Sequence, residues 1–158
     1  MSMIVGSDFI DNNTSFNTVI RKDGPNTYVQ AYATSGAAAG TPKFIQWMGS
    51  GYNATAIVAS NYGYVGLVRE GNAIASGCVG WVQISGQVDD AQSYAATKFT
   101  GEVGHAVFVL GTTVGIGATG SGYVGNPAIG QIGVLLEDTS GSTTANIFLT
   151  GVWATPIA

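Results

Sequence analysis

A ten-residue stretch closed by glycine at both ends constrains the fold more than any other part of the chain. Residues 77–86 read GCVGWVQISG. In an extended strand, side chains alternate between two faces. The two sets are Val79, Trp81, Gln83 and Ser85 on one face, and Cys78, Gly80, Val82 and Ile84 on the other. The second set is small and apolar and suits a core. The first suits a half-solvated contact between Trp81 and another loop, sheet or subunit.

Similar short segments recur along the whole chain, separated by turn-forming residues. The predicted strands are residues 27–33, 43–48, 56–59, 64–70, 79–85, 105–110, 131–137 and 145–153. The turn signals, rich in Gly, Pro, Asn and Ser, are residues 23–26, 40–42, 49–51, 70–72, 126–127 and 140–142. This spacing is typical of a sandwich or barrel. We therefore predict one all-β domain over residues 17–158, built from short antiparallel strands with Gly-rich loops.

Two segments leave alternatives open. Residues 89–99 are the one helical candidate, because Asp89 or Asp90 could cap a helix and alanines follow, but an extended loop fits equally. Residues 1–16 mix apolar side chains, among them Phe9 and Ile10, with Asp8 and other polar residues. This segment is either an arm that docks on a neighbour or an edge strand of the domain's own sheet.

The low charge of the chain limits the function classes it can serve. Only 9% of its 158 residues are charged, against roughly 25% in an average soluble domain. Such a chain hides much of its surface against partners or covers it with small polar residues. A net charge of −4 and a single basic pair, Arg21-Lys22, argue against nucleic acid. No apolar run approaches the ~20 residues of a membrane span, and the start lacks the pattern of a signal peptide.

The residues that usually carry chemistry do not form a convincing site. Residues 115–120 match a G-x-G-x-x-G pattern, but the Gly-rich sequence that follows cannot hold the required helix. His105 is the one histidine and Cys78 the one cysteine, so we expect a structural histidine, a buried inert thiol and no internal disulfide. The acid pairs Asp89-Asp90 and Glu137-Asp138 could converge on calcium but also fit solvated turns. We predict no catalytic, cofactor or metal site.

The aromatic residues point to contacts instead. Tyr and Trp are more numerous than a core needs, and both are enriched at protein interfaces. The interface candidates are Trp81, Tyr28, Tyr32 and Trp47, together with Phe9 and Ile10 of the first segment. The same residue types could line a sugar-binding surface. We favour a subunit interface, because few acids and amides are arranged around them in the sequence.

Several short blocks together are similar to the capsid decoration, or cement, proteins of tailed bacteriophages. The blocks are residues 23–31, 39–42, 66–70, 80–86 and 133–138, and the most recognisable is the Trp-Val-Gln-Ile-x-Gly strand at residues 81–86. The resemblance implies an all-β, often trimeric domain without enzymatic activity. It would bind the major capsid protein on the outside of the virion after assembly in the host cytoplasm, with no cofactor, nucleic acid or membrane.

Two other functions stay open at this point. One is a head-fibre or tail-tip module that recognises a host-surface glycan. The other, a hydrolase, lacks an acid–base constellation in the sequence. Copy number separates the first alternative from a decoration protein, since the resemblance implies hundreds of decoration subunits per virion and few receptor-binding ones.

Overall fold

The computed structural model describes residues 20–47, 51–56, 63–68, 73–93, 98–110, 116–118, 128–151 and 153–154. All of the regular secondary structure in these ranges is β-strand, which confirms the all-β prediction. The strands, in chain order, are β1 Ile20–Asp23, β2 Asn26–Ala33, β3 Pro42–Trp47, β4 Tyr52–Thr55, β5 Gly63–Val68, β6 Cys78–Gln92, β7 Phe99–Gly101, β8 Ala106–Leu110, β9 Ile116–Ala118, β10 Ala128–Leu135, β11 Thr139–Ser142, β12 Thr144–Thr150 and β13 Trp153–Ala154.

Most of these strands belong to one large sheet. Its order is β1-β2-β4-β3-β5-β6-β12-β10-β8-β9, with β13 paired to β5, while β7 and β11 form a separate two-stranded sheet. Strand β2 also pairs with β6 along its length. The pairing therefore returns on itself and closes a five-stranded barrel of β2, β4, β3, β5 and β6.

The closed ring explains the one parallel pairing among the described strands. Antiparallel neighbours reverse direction at each step, so a ring with an odd number of strands must contain one parallel pair. That pair is β2–β4, where Ala31 lies opposite Tyr52 and Tyr32 opposite Asn53. The barrel is narrow: a Cβ atom on Gly80 would lie 2.5 Å from Ile74 Cγ1, and one on Gly66 2.5 Å from Val82 Cγ1. Glycine at these positions lets the strands close around the core.

Two hydrophobic cores lie on opposite sides of the barrel wall. The barrel core consists of Val29, Ala31, Ala33, Ala37, Ile45, Ala54, Val68, Ile74 and Val82. The second core consists of Val65, Leu67, Val88, Ala91, Phe99, Val107, Ile132, Leu135, Ala145, Ile147 and Leu149. Strand β5 serves both, since Val68 joins the barrel core while Val65 and Leu67 join the second. We call strands β1–β5 with residues 78–86 of β6 the barrel, and residues 87–93 with strands β7–β12 the second half.

Strand β6 runs through both halves and contains Gly86, whose φ of +100° lies in the left-handed region that favours glycine. Hydrogen bonds hold the residues on both sides of this glycine. Gln83 Nε2 donates to the carbonyl oxygens of Ser85 and Gln87, at 3.2 and 2.7 Å, and the Gln87 N–H donates to Asn26 Oδ1 at 2.9 Å. The predicted strand over residues 79–85 was therefore too short, because the chain continues in the same strand beyond the glycine.

The helical alternative for residues 89–99 is wrong at both of its described ends. Residues 89–92 complete β6 and pair with β12, with Ala91 opposite Ala145, and Phe99 begins β7. Ala91 and Phe99 are both buried in the second core. Strand pairing and this burial outweigh a weak local preference for helix.

Smaller differences concern element boundaries. Strand β4 ends at Thr55, one residue before the strand predicted over residues 56–59, and residues 57–59 fall outside the described ranges. Residues 140–142, expected as a turn, lie in β11, where the register shifts beside Gly141. Residues 1–16 also fall outside the described ranges, so arm and edge strand both stay predictions.

Candidate functional site

The outer wall of the barrel gathers aromatic residues from two adjacent strands. On β2, Val29, Ala31 and Ala33 fill the barrel core, so Tyr28, Gln30 and Tyr32 point outward. The β2–β6 register places Gln30 opposite Trp81, with Tyr28 opposite Gln83 and Tyr32 opposite Val79. Residues that lie directly opposite share a face of the sheet. Trp81 therefore stands on the same outer face as the two tyrosines.

Strand β4 adds an amide to this face. Asn53 lies opposite Tyr32 in the parallel pairing, and its neighbour Ala54 points into the barrel core. Alternation then directs the Asn53 side chain outward. We call the surface formed by Tyr28, Gln30, Tyr32, Asn53 and Trp81 the aromatic–amide face.

Three polar atoms of this face are withdrawn from solvent and have no hydrogen-bond partner. They are Gln30 Oε1, Asn53 Oδ1 and Trp81 Nε1. The two oxygens are acceptors and the indole nitrogen is a donor. The three atoms belong to strands β4, β2 and β6, which are neighbours in the sheet. Leaving a buried polar group unpaired costs about 1–3 kcal/mol, so such groups are normally satisfied. A fourth unpaired atom among the described residues, Ser93 Oγ, lies beyond the end of β6.

One charged residue stands at the rim of the face. Arg21 lies opposite Tyr28 on β1, and its Cζ atom is 5.6 Å from the Tyr28 ring centroid, within the range of a cation–π contact. Its guanidinium group also lies 3.6 Å from the Asp23 carboxylate. The five residues of the face itself carry no formal charge.

This face of β6 is less exposed to solvent than the sequence predicted. Val79 and Gln83 were placed on a half-solvated face, but they are only 3% and 4% exposed. The Gln83 amide donates to the carbonyl oxygens on both sides of Gly86, and Leu67 of the second core lies opposite Gln83. Trp81 is half-buried, as are Gln30 and Tyr32, while Tyr28 is buried. Gln83 is thus a structural residue rather than a contact residue.

Three of the six interface candidates come together here: Tyr28, Tyr32 and Trp81. Trp47 lies in β3, and its side chain is outside the described part of the structure, as are Phe9 and Ile10. Gln30 and Asn53 were missed as candidates. The alternation of Tyr28, Gln30 and Tyr32 already signalled an outward Gln30, whereas the position of Asn53 depends on a pairing that the sequence does not reveal.

Three titratable side chains of the second half, those of Glu137, Asp138 and His105, accept structural hydrogen bonds. The Asn146 N–H and Nδ2 donate to the two carboxylate oxygens of Glu137, at 2.7 and 3.2 Å, and Asn146 Oδ1 accepts the Asp90 N–H at 3.1 Å. Asn146 thus bridges the two acid pairs. Asp138 Oδ1 accepts the Val103 N–H at 2.9 Å, and His105 Nδ1 accepts the Glu102 N–H at 3.1 Å.

No metal-binding group of three acids, histidines or cysteines forms among the residues that the structure describes. Cys78 is half-buried and packs against the barrel core. Within the same ranges, no helix is long and apolar enough to cross a membrane.

No protein-family model matches the chain, and neither a curated protein nor a solved structure shows a significant match to it.

Proposed function

We propose that this chain is a non-enzymatic structural protein of a virion, a decoration protein that binds the assembled head of a tailed bacteriophage and stabilises it. One observation carries the proposal. The aromatic–amide face has three polar atoms that are withdrawn from water yet unpaired within the described fold. A face of this kind is completed by contact with further polypeptide, which can supply both donors and acceptors.

The distribution of charge supports an orientation in which the barrel faces the shell. The described part of the barrel carries Arg21, Lys22 and Lys43 against Asp23. The described part of the second half carries five acids against one lysine: Asp89, Asp90, Glu102, Glu137 and Asp138 against Lys98. Charged side chains favour water over an interface core. The barrel would therefore face the shell, and the acidic second half would stay in solvent.

The stabilising mechanism is mass action. A subunit that binds the assembled shell but not its dissociated or unexpanded form stabilises the assembled state by an amount that grows with its free concentration. At a hundred times its dissociation constant, this amounts to about 2.7 kcal/mol per site. Hundreds of such sites, as the family resemblance implies, would make a thin shell much harder to disrupt without any catalysis.

A glycan-binding module is the second candidate, and the face gives it a specific argument. Amides now stand among the rings: Gln30 and Asn53 flank Tyr32 in space, whereas the sequence had shown no such grouping. Hydroxyl groups of a sugar could satisfy both amide oxygens and the Trp81 indole N–H. The same unpaired atoms serve either candidate, so the number of copies bound per head separates the two.

Binding to heads tests the proposal directly. Heads of the virus that encodes the chain, prepared without this protein, are sedimented with the purified wild-type chain and with Trp81→Ala. We expect saturable binding of the wild type in hundreds of copies and weak binding of the variant. Thr144→Ala serves as the control and should bind normally. Thr144 is exposed and lies in β12 opposite Gln92, at the other end of β6 from Trp81. Failure of the wild type to bind heads would overturn the proposal. Binding in only a few copies would favour the fibre or tail-tip function.

The oligomeric state is a separate expectation. The low charge, the aromatic–amide face and the resemblance all favour a homotrimer, and closed cyclic symmetry is the usual outcome for such assemblies. Light scattering on the purified chain measures the mass in solution. A monomer of 16.1 kDa at high micromolar concentration would contradict the trimer.

A further inference from the structure

We infer that copies of this chain associate head to tail, so that strand β1 of one copy packs on an apolar sheet face in the second half of the next copy. The inference rests on the homotrimer proposed above and names the surfaces that would form it, but it does not depend on binding to heads. It starts from the two sides of strands β10 and β12.

Three strands of the second half carry apolar side chains on the side of the sheet away from the second core. Phe148 lies between two residues of that core in β12, and Val134 and Leu136 flank the core residue Leu135 in β10. Alternation along a strand turns these three side chains to the opposite side. Val134 lies opposite both Phe148 and Ala106 of β8, so all of them share one side of the sheet. We call Ala106, Val134, Leu136 and Phe148 the apolar face.

The apolar face is not part of the packed interior of the subunit. None of its four residues belongs to either hydrophobic core. Leu136 is 38% exposed, and the other three are half-buried. An antiparallel sheet that covers a core on one side usually carries polar side chains on the other. Apolar side chains in those positions are typical of a surface that binds another protein.

Carboxylates border the apolar face. Gln87 of β6 lies opposite Phe148, and its Nε2 atom donates to Asp89 Oδ1 at 3.0 Å. Asn146 lies two residues before Phe148 on the same side of β12, and its Nδ2 atom donates to Glu137 Oε2 at 3.2 Å. A partner that fits this face therefore brings an apolar side chain together with a positive charge.

Strand β1 presents both groups at the end of the sheet. Among the described strands, β1 pairs with β2 alone. Ile20 is 56% exposed, and Lys22, two residues further on the same side of the strand, is also exposed. Arg21 points to the other side, where it contacts the Tyr28 ring and the Asp23 carboxylate of its own subunit. Lys22 is thus the cation of β1 that stands beside an exposed apolar side chain.

A contact between β1 and the apolar face joins two copies. Ile20 and Leu136 are both exposed in the single subunit, so β1 does not cover the apolar face of its own chain. The two surfaces differ, and a contact between different surfaces repeats from copy to copy until the ring closes. Three such contacts complete a homotrimer. Ile20 then packs on Leu136 and Phe148, while Lys22 and Asp89 lie at the polar rim.

Exchanging two opposite charges tests the contact. Light scattering over a dilution series gives the concentration at which half of the chain is assembled. Lys22→Glu and Asp89→Lys should each raise that concentration at least about tenfold, because each places like charges together. The double variant restores opposite charges and should return to within about threefold of the wild type. Lys98→Glu makes the same charge change at an exposed site before β7 and is the control, which should assemble like the wild type.

Leu136→Asn tests the apolar centre of the contact. Because Leu136 is exposed in the subunit, this variant should keep the circular dichroism spectrum of the wild type while it fails to assemble. A trimer that keeps its mass in Lys22→Glu and Leu136→Asn would overturn the inference and leave the trimer itself intact. Lost assembly that the double charge variant does not recover would also contradict the pairing of Lys22 with Asp89. A wild type that stays monomeric would overturn both the inference and the trimer, whereas binding to heads is measured separately.

Discussion

The barrel and the second half of this molecule differ most in whether their buried polar groups have hydrogen-bond partners. In the second half, Asn146 satisfies both oxygens of Glu137 and the backbone of Asp90, and Asp138 and His105 hold turns. On the barrel's outer wall, Gln30, Asn53 and Trp81 each leave a buried polar atom unpaired. Among the described residues, three of the four buried unpaired atoms therefore lie on the barrel wall, and one, Ser93 Oγ, lies in the second half.

The two cores differ in the same direction. The second core is built on large side chains, including Phe99, Leu135 and Ile147, all fully buried. The barrel core depends on alanine and on glycines that let strands approach, such as Gly80 against Ile74. Buried apolar area contributes roughly 25 cal/mol per Å², so large side chains stabilise more. We therefore expect the second core to contribute more to the free energy of unfolding than the barrel core does.

Truncation of large aromatic residues should separate the two halves most strongly. Phe99→Ala removes a fully buried ring from the second core and should cost about 3–5 kcal/mol. Trp81→Ala removes a half-buried ring whose indole N–H is unpaired, so we expect about 1–3 kcal/mol. Urea unfolding followed by circular dichroism measures both. Equal costs would mean that Trp81 belongs to a core rather than to a contact face.

The narrowness of the barrel can be tested by adding one methyl group. Gly80→Ala places a Cβ atom 2.5 Å from Ile74 Cγ1 and should destabilise the chain by about 1–3 kcal/mol. Ile74→Ala makes room for it. In the double variant, Gly80→Ala should then cost clearly less than it does alone, as a double-mutant cycle of unfolding free energies would show. Additive costs would contradict direct packing between the two residues.

Two asparagines provide a matched comparison of polar groups. Asn146→Ala removes the hydrogen bond from Nδ2 to Glu137 and the acceptor of the Asp90 N–H, while the backbone N–H bond to Glu137 stays, so we expect a loss of about 1–2 kcal/mol. Asn53→Ala removes an unpaired oxygen, and its cost should stay within about 0.5 kcal/mol. Both side chains are half-buried. If Asn53→Ala proves as costly as Asn146→Ala, the contrast between the two halves does not hold for this pair.

The sequence predicted the class and much of the layout of this fold. Alternation in residues 27–33 placed β2 to within one residue, and the Asp23-to-Asn26 turn does connect β1 to β2. These features are local, since period-2 patterning and turn chemistry act over a few residues.

The missed features depend on contacts distant in sequence. Gly86 and the Asp89-Asp90 pair resembled a strand end followed by a helix cap, yet pairing with β12 keeps residues 87–92 extended. Likewise, the register that puts Gln30 opposite Trp81 joins residues 51 positions apart. Nothing in either segment alone reveals that an amide and an indole share one face, so the candidate surface emerged only with the closed barrel.

The sign of the effect of Gln30→Met on the free energy of unfolding tests the unpaired atoms of the barrel wall directly. Gln30→Met keeps the length of the side chain but removes Oε1. The change removes a buried acceptor that is unpaired among the described residues, so we expect it to stabilise the free chain by about 1 kcal/mol. Urea unfolding measures this against Gln92→Met, a change of an exposed glutamine near the end of β6 that should have little effect. A destabilised Gln30→Met chain would contradict the contrast between the two halves, because it would mean that Oε1 accepts a hydrogen bond in the free chain.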